Sequence, residues 1–287
     1  MGGRLRHGVK LVLLFSGLAF LFWWGWAGHF AFDKGTFLRL LPQEDLYRLE
    51  LGNKVIGHSL RIITLGPDAG RFNVEERTLI TITLAMAPQI VKMISKSSYD
   101  DQGRLIEAEI ALPFAQGSAK ASAKVIGDKV KCSLSFNQKE RNLELALPKE
   151  GPVVASGLIP WLSHQNQLPL GRPLTLSLLD LSTISFSQAQ LIVEDVTEES
   201  DEVQRYKLTL NFKSSESQEW IEANGRILRH YEPGLGVNLI LETNELEIIK
   251  AKKELEQTQF GELKGLTADF LDLALKGEPF EFFKPSF

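Results

Sequence analysis

The chain is poor in cysteine, with only Cys132 among its 287 residues. A single cysteine cannot form an internal disulfide, so no disulfide staples this fold. Around it, Val130, Cys132 and Leu134 alternate with lysine and serine, which predicts a strand with Cys132 on its apolar face. A reactive thiolate needs an accessible, electropositive setting, so we interpret Cys132 as a small buried hydrophobe rather than a nucleophile.

Positive charge and histidine are also scarce. The chain has 32 Lys and Arg against 36 Asp and Glu, a net charge of −4. Without a clustered basic surface, nucleic-acid binding is excluded. No two of His58, His164 and His230 have the spacing of a metal pair. A glycine-rich phosphate loop is absent, and Ser156-Gly157 lacks the strand–elbow–helix setting of a hydrolase nucleophile. The sequence therefore predicts no catalytic residues, no metal and no cofactor.

The N-terminal sequence predicts that the protein is anchored in a membrane. Residues 1–10 are basic and carry no acid, and an apolar run of residues 11–27 follows, which extends to Phe32 if His29 is tolerated. About 20 apolar residues cross a bilayer as a helix. Basic residues before the run predict a cytoplasmic N-terminus, with the bulk of the chain in the bacterial periplasm. We expect an inner-membrane anchor over residues 11–32 that contacts lipid through Leu11, Leu14, Phe22, Trp23, Trp24 and Trp26, with Phe30 in the aromatic belt.

Two other interpretations of this run remain. Gly25-Trp26-Ala27 is a weak cleavage site, so the run could be a signal peptide that is removed. A buried core helix is less favoured because the run has no polar face.

Residues 33–245 predict a β domain. Apolar and polar residues alternate along segment after segment, and hairpin signals such as Asp100–Gly103 and Asn224-Gly225 separate them. We expect about a dozen strands, mostly in sequence order, in a large curved antiparallel sheet like a half-barrel. The segment Gly151–Gln167, with two prolines and Trp161, is expected to be a short helical or irregular cover.

Residues 246–287 predict a different structure. Residues 251–258 are helical by propensity, and apolar residues follow at helical spacing across Glu262–Leu275. We expect this helix to pack on the sheet, with binding of a partner as the alternative. The tail Gly277–Phe287 carries four phenylalanines, so it either fills the concave face of the sheet, which we call the trough, or docks to a partner.

Four motifs carry a resemblance to a known group of proteins. They are LGNKVIGHS from Leu51, SYDDQGRLIEAEIAL from Ser98, IPWLSHQNQLPLGRPLTLSLLD from Ile159 and WIEANGRILRHYEPGLGVNLILET from Trp220. Residues Tyr47 to Thr243 resemble the β-rich exported domains found N-terminal to bacterial transglutaminase-like domains. The resemblance implies a curved sheet akin to the half-barrels of periplasmic lipoprotein carriers. It carries over no catalysis, because we expect no catalytic domain after the sheet in this sequence and place Cys132 in a strand.

The sequence thus favours a non-enzymatic envelope domain that binds an apolar ligand, a lipidated chain or a protein partner in the trough. We expect the ligand to contact His58, Ile80, Ile82 and Trp161. The alternative is a structural or interaction protein that docks a peptidase- or transglutaminase-like partner by its sheet edge or its phenylalanine-rich tail. A third hypothesis, an enzyme with an unfamiliar site, requires acids or histidines clustered in a cleft.

Overall fold

The computed structural model describes residues 28–257, apart from residues 69, 85–86, 115–116, 137–138, 150–151, 182–183, 197–203 and 213–214. The anchor residues predicted between Leu11 and Trp26, the apolar stripe across Glu262–Leu275 and the phenylalanine-rich tail lie outside these residues. Within the described part of the chain, no helix combines the length and the hydropathy that a membrane crossing requires.

Strands dominate the described residues, as the alternating sequence predicts. Seventeen are present there: β1 (His29–Ala31), β2 (Gln43–Leu51), β3 (Lys54–Leu65), β4 (Phe72–Leu84), β5 (Ala87–Tyr99), β6 (Leu105–Phe114), β7 (Gly117–Ile126), β8 (Lys129–Phe136), β9 (Lys139–Ala146), β10 (Pro152–Val153), β11 (Gln167–Pro169), β12 (Leu174–Asp180), β13 (Ser185–Asp195), β14 (Arg205–Phe212), β15 (Ser215–Glu222), β16 (Ile227–Glu232) and β17 (Val237–Leu241). Three α-helices accompany them: α1 (Lys34–Arg39), α2 (Leu158–Gln165) and α3 (Glu245–Gln257).

Fifteen of these strands form one sheet, in the order β10-β12-β13-β14-β15-β16-β17-β2-β3-β4-β5-β6-β7-β8-β9. It consists of two antiparallel meanders, β2–β9 and β12–β17, and β10 adds a short parallel pair at one edge. The meanders join where β17 lies beside β2, with Leu239 opposite Leu49. The expected sequence order therefore holds within each meander and is broken at this join, because the segment between β9 and β12 carries the chain back across the fold.

The sheet curves so strongly that distant strands share one core. Val130 and Cys132 of β8 belong to the same buried cluster as Leu191 and Val193 of β13, although many strands separate β8 from β13 in the sheet. Only a sheet that bends back on itself brings these inner faces together. The expectation of a mainly β fold built on a large antiparallel sheet is confirmed.

One end of the curved sheet is filled by the chain itself. Helix α2 and the residues on either side of β1 pack there, and Ile159 and Leu162 of α2 are fully buried. The β5–β6 turn touches this helix: Gly103 has φ +71°, and a Cβ atom on it would lie 2.3 Å from the Cα atom of Trp161. The predicted cover segment is therefore a short helix, preceded by a 3₁₀ turn, that closes this end of the trough.

Phe30 and Phe32 belong to this core. Strand β1 pairs with β11, and the Phe30 ring lies 4.5 Å from the Tyr206 ring in an edge-on arrangement. Phe30 is 0 % exposed and Phe32 is 6 % exposed. The expectation that the membrane segment extends to Phe32, with Phe30 in its aromatic belt, is corrected, because both rings are buried within the folded domain.

Helix α3 packs on the outer face of the sheet. Ala251 and Leu255 of the helix form a small separate core with Leu46, Leu60 and Leu79 of β2, β3 and β4. At the end of the helix, Lys92 donates a hydrogen bond of 2.8 Å from Nζ to the Leu255 carbonyl oxygen. The expected C-terminal helix is present and packs on the sheet, starting at Glu245.

Candidate functional site

The structure does not gather the four predicted ligand-binding residues into one site. His58 lies on the outer face with Leu60, because neighbouring Gly57 pairs with Ile80 on the inner face and successive side chains point to opposite faces. Burial lowers the pKa of His58, and Glu254, Glu242 and Glu247 partly offset that effect. Ile80 is half-buried, and the side chain of Ile82 lies outside the described residues.

Trp161 lies on α2 at the filled end, where it packs against the core and the Gly103 turn. Placing His58 in the trough was wrong, since the alternation within a strand does not reveal which of its two faces turns inward.

The inner face carries a polar group that the sequence pattern did not predict. Arg61 of β3 lies beside Glu76 of β4, with Nε 3.4 Å from Oε1, and its Nη2 donates to the Ser156 carbonyl oxygen at 2.8 Å. The Tyr99 hydroxyl donates to the Ser97 hydroxyl at 2.8 Å and lies 3.1 Å from the Ser156 hydroxyl. Arg61 is only 7 % exposed. This network links strands β3, β4 and β5 to the cover segment.

A second polar group lies across the sheet, on β15 and β16. His230 Nδ1 is 3.1 Å from Glu219 Oε1, and His230 Nε2 is 3.8 Å from Glu232 Oε2. Burial opposes charge on both members of the first pair. For His230, the hydrogen bond and charge of Glu219 outweigh burial and hold its pKa above the ordinary value. For Glu219, His230 and Arg61 likewise outweigh burial and hold the pKa of the carboxyl below its ordinary value. The pair therefore favours the ionised state.

Tyr47 connects the two groups. Its side chain is 4 % exposed, and burial together with the charge of Asp45 raises its pKa. The charges of Arg61, Glu219 and Glu76 also act on the pKa of the Tyr47 hydroxyl, so Tyr47 is coupled electrostatically to both polar groups. We call the inner-face set Tyr47, Arg61, Glu76, Glu219, His230 and Glu232 the polar row.

Several buried atoms around the polar row lack a partner. The Tyr47 hydroxyl, Arg61 Nε, Glu219 Oε2 and Gln43 Oε1 make no hydrogen bond with the described part of the chain. Buried polar atoms are normally paired, because leaving one unpaired costs about 1–3 kcal/mol. Several such atoms close together are a feature that a functional site would explain.

Apolar inner-face residues flank the polar row differently on its two sides. Towards the filled end, Ile63 and Val74 are each 2 % exposed. Towards the β2–β3 and β16–β17 turns, Ile80, Val237 and Leu239 are only half-buried and Leu51 is 50 % exposed. We call this second region, defined by Leu51, Ile80, Val237 and Leu239, the exposed end of the trough.

The structure also places the other residues that the sequence offered as reactive groups or metal ligands. Cys132 is 2 % exposed, and burial raises the pKa of its thiol, which confirms the interpretation as a buried hydrophobe. Over the described ranges, no group of three or more His, Cys, Asp or Glu side chains has the geometry to hold a metal ion. His164 is exposed at the end of α2.

A groove of about 730 Å³, lined in part by charged side chains, crosses strands β3 to β9. Charged side chains along it form cross-strand ion pairs, including Lys96 with Glu75 and Lys124 with Glu107, each 3.8 Å long. Pairs between exposed charges of this kind contribute little to stability. Because these charges neutralise one another, the groove offers less to a ligand than the polar row does.

A signal for the polar row is present in the sequence. Arg61 and Glu76 fall in the same alternation phase as Ile63 and Val74, so each is a charged residue on a strand face that carries buried apolar residues. Glu219 shares its phase with buried Ile221, although Ser215 and Ser217 share it too. What the sequence does not reveal is that β3, β4, β15 and β16 curve round to bring these positions together.

Comparisons with known proteins give the fold. No family model matches the chain, and comparison with curated proteins finds no match. Among solved structures, the chain is similar to a beta-barrel-like protein of a domain of unknown function, DUF1849, from Brucella abortus. The two share 14% sequence identity with a TM-score of 0.50, over 70% of this chain and 95% of that chain. At this identity the likeness concerns architecture alone, and it agrees with a barrel-like, mainly antiparallel sheet.

Proposed function

We propose that this domain is a non-enzymatic binding module that holds the apolar part of a ligand at the exposed end of the trough. The observation that carries the proposal is the contrast along the inner face. The filled end is closed by α2 and Phe30, whereas Ile80, Val237 and Leu239 remain half-buried beyond the polar row.

Removal of that apolar surface from water would drive ligand binding. Each ~100 Å² of apolar surface removed from water contributes about 2.5 kcal/mol before the entropic costs of binding. Ligand sites are typically concave and mainly apolar, with a few polar groups that set orientation. The exposed end and the polar row supply these two components side by side.

The proposal includes the cellular location of the domain. An anchor over the apolar run of residues 11–27 in the bacterial inner membrane would hold the domain in the periplasm, close to apolar and lipidated ligands. The resemblance of residues 47–243 to the β-rich domains that precede transglutaminase-like domains, and to lipoprotein-carrier half-barrels, supports the same assignment.

Photolabelling of the full-length chain tests the proposal. The probe is a photoreactive long-chain alcohol, competed with an unlabelled long-chain alcohol, and labelled peptides are mapped by mass spectrometry. We expect saturable labelling of β3, β4 and β17. Replacing Leu239 by Asp should abolish it, because a carboxylate at the exposed end opposes an apolar chain.

Leu246→Asp is the matched control. Leu246 is 76 % exposed on α3, at the outer face. Labelling that does not saturate, or that Leu239→Asp and Leu246→Asp reduce equally while circular dichroism shows both variants folded, contradicts the proposal.

A second candidate is docking of an envelope protein by the sheet edge. Strand β9 is the last strand of the fifteen-stranded sheet, and it pairs with β8. An extended segment of a partner, peptidase- or transglutaminase-like, would add to such an edge by backbone hydrogen bonds. The test is a pull-down with Leu143→Pro at this edge and, separately, with residues 277–287 deleted. If both variants capture the same partners as the unchanged chain, neither the β9 edge nor the tail is the docking site.

A further inference from the structure

Acidic groups outnumber basic groups in the polar row. The carboxylates are those of Glu76, Glu219 and Glu232, whereas the cations are Arg61 and His230. Arg61 lies 3.4 Å from Glu76, and His230 lies 3.1 Å from Glu219 but 3.8 Å from Glu232. Even with His230 protonated, Glu232 is left without a cation of its own.

Neighbouring charges do not remove this surplus. Asp45, on the same face of β2, is 5 % exposed and is held by Arg226, with Nε 3.2 Å from Oδ1. That pair is balanced in itself. The surplus carboxyl is therefore that of Glu232, whose pKa burial raises, with His230 opposing that effect and the charge of Glu216 adding to it.

Hydrogen-bonding capacity shows the same imbalance. Glu219 Oε2, Gln43 Oε1 and the Tyr47 hydroxyl are buried oxygens without partners, and each can accept a hydrogen bond. Arg61 Nε makes no hydrogen bond, although it is paired by charge with Glu76, and the Tyr47 hydroxyl can also donate. The inner face thus has more acceptors than the described residues use, and this observation is independent of the count of charges.

Glu232 is well placed to meet a ligand. It ends β16 on the side of the exposed end, directly opposite Val237 of β17. Its side chain is 25% exposed, so the carboxylate is partly withdrawn from water yet accessible. A ligand whose apolar chain covers Val237 and Leu239 brings its polar end to this carboxylate.

We propose that the ligand's polar end carries an ammonium group, which Glu232 binds at the border between the exposed end and the polar row. The inference rests on the proposed function and specifies its ligand class: an amphiphile with an amine rather than a fatty acid. A carboxylate at this place would face the three carboxylates of the polar row, whereas an ammonium neutralises Glu232 and donates up to three hydrogen bonds.

The experiment compares matched photoreactive probes on the full-length chain: a long-chain amine, the corresponding alcohol and the corresponding alkanoate. A photoreactive lysophosphatidylethanolamine forms a fourth arm. We expect half-saturation at about tenfold lower concentration for the amine than for the alcohol, and weaker labelling still by the alkanoate. Equal labelling by the lysophosphatidylethanolamine would identify an aminophospholipid headgroup as the source, and labelling by the simple amine alone would identify an amine without phosphate.

Glu232→Gln isolates the carboxylate. This variant should lose the tenfold preference for the amine and keep the labelling by the alcohol, whereas Glu144→Gln, an exposed outer-face carboxylate beside Lys129, should change neither. Alkanoate labelling as tight as amine labelling, or an unchanged preference in Glu232→Gln, overturns the inference while the proposed function stands. Absence of saturable labelling by all four probes overturns both.

Discussion

Glu219 and His230 face each other across strands β15 and β16, with carboxylate Oε1 3.1 Å from imidazole Nδ1 and both side chains on the inner face of the curved sheet. The side chain of His230 is 26% exposed and that of Glu219 is 16% exposed, so the pair is largely withdrawn from solvent. A histidine in this setting links the charge of the polar row to pH.

The stability contributed by His230 should fall as the pH rises. Its pKa is raised in the folded state, so its contribution is complete below the unfolded value of about 6.5 and is lost as the pH passes through the higher folded value. Urea unfolding of His230→Gln and of the unchanged chain should therefore differ most between about pH 5 and 6.5. Glu219 acts in the opposite direction because its pKa is lowered in the folded state. Its contribution to stability is present above the unfolded pKa and is lost as the pH falls through the lower folded pKa. A difference that grows above pH 7 would contradict this assignment.

Replacing Gly103 by alanine should destabilise the filled end. Gly103 has φ +71°, and a Cβ atom there would meet backbone atoms of Trp161 at 2.3 and 2.6 Å. Gly127 is the matched control, because its φ is +62° and nothing lies within 4 Å of its Cβ position. Gly127→Ala should cost only the backbone term of about 1–2 kcal/mol, and Gly103→Ala clearly more. Equal costs in chemical denaturation would show that the close approach to α2 is unimportant.

Shortening Leu255 should loosen α3 without unfolding the sheet. Leu255 is 2 % exposed in the small outer core, and Leu→Ala substitutions in cores cost about 2–5 kcal/mol. Because this cluster is separate from the main core, we expect faster hydrogen exchange confined to residues 245–257 in Leu255→Ala. Leu246→Ala, at an exposed position of the same helix, should leave exchange unchanged. Faster exchange throughout the sheet would mean that α3 is an integral part of the main core.

Phe30→Ala tests whether residues just beyond the apolar run belong to the domain. Phe30 is 0 % exposed, so its truncation should lower the free energy of unfolding by about 3–5 kcal/mol. Leu38→Ala, at a position 37 % exposed on α1, should change it by less than about 1 kcal/mol. A small effect of Phe30→Ala in thermal or chemical unfolding would place this residue outside the core.

The sequence predicts those parts of the fold that depend on local pattern. Alternation identified most strands, and Asp100–Gly103 and Asn224-Gly225 do lie between β5 and β6 and between β15 and β16. The break in alternation at Gly151–Gln167 likewise corresponds to the 3₁₀ turn and α2. These features follow from propensities that act over a few residues.

The candidate site depended on pairings that no local pattern reveals. His58 and Arg61 lie in one strand, three residues apart and therefore on opposite faces, and the packing of α3 on Leu60 and Leu79 shows that the His58 face is the outer one. The polar row also requires β17 to lie beside β2. Alternation specifies neither the partner of a strand nor its inner face, so charged residues within apolar phases were the one available signal.

The junction between β17 and β2 has a consequence for biogenesis. Leu49 pairs with Leu239, so the two central strands of the sheet come from opposite ends of the described chain. Contacts between residues so far apart in sequence form slowly, because a long loop must close before they contribute. While the ribosome is still making β17, the free border of β2 is open to mispairing. The free border of β2 therefore stays without its native partner until the residues up to Leu241 are available to pair with it.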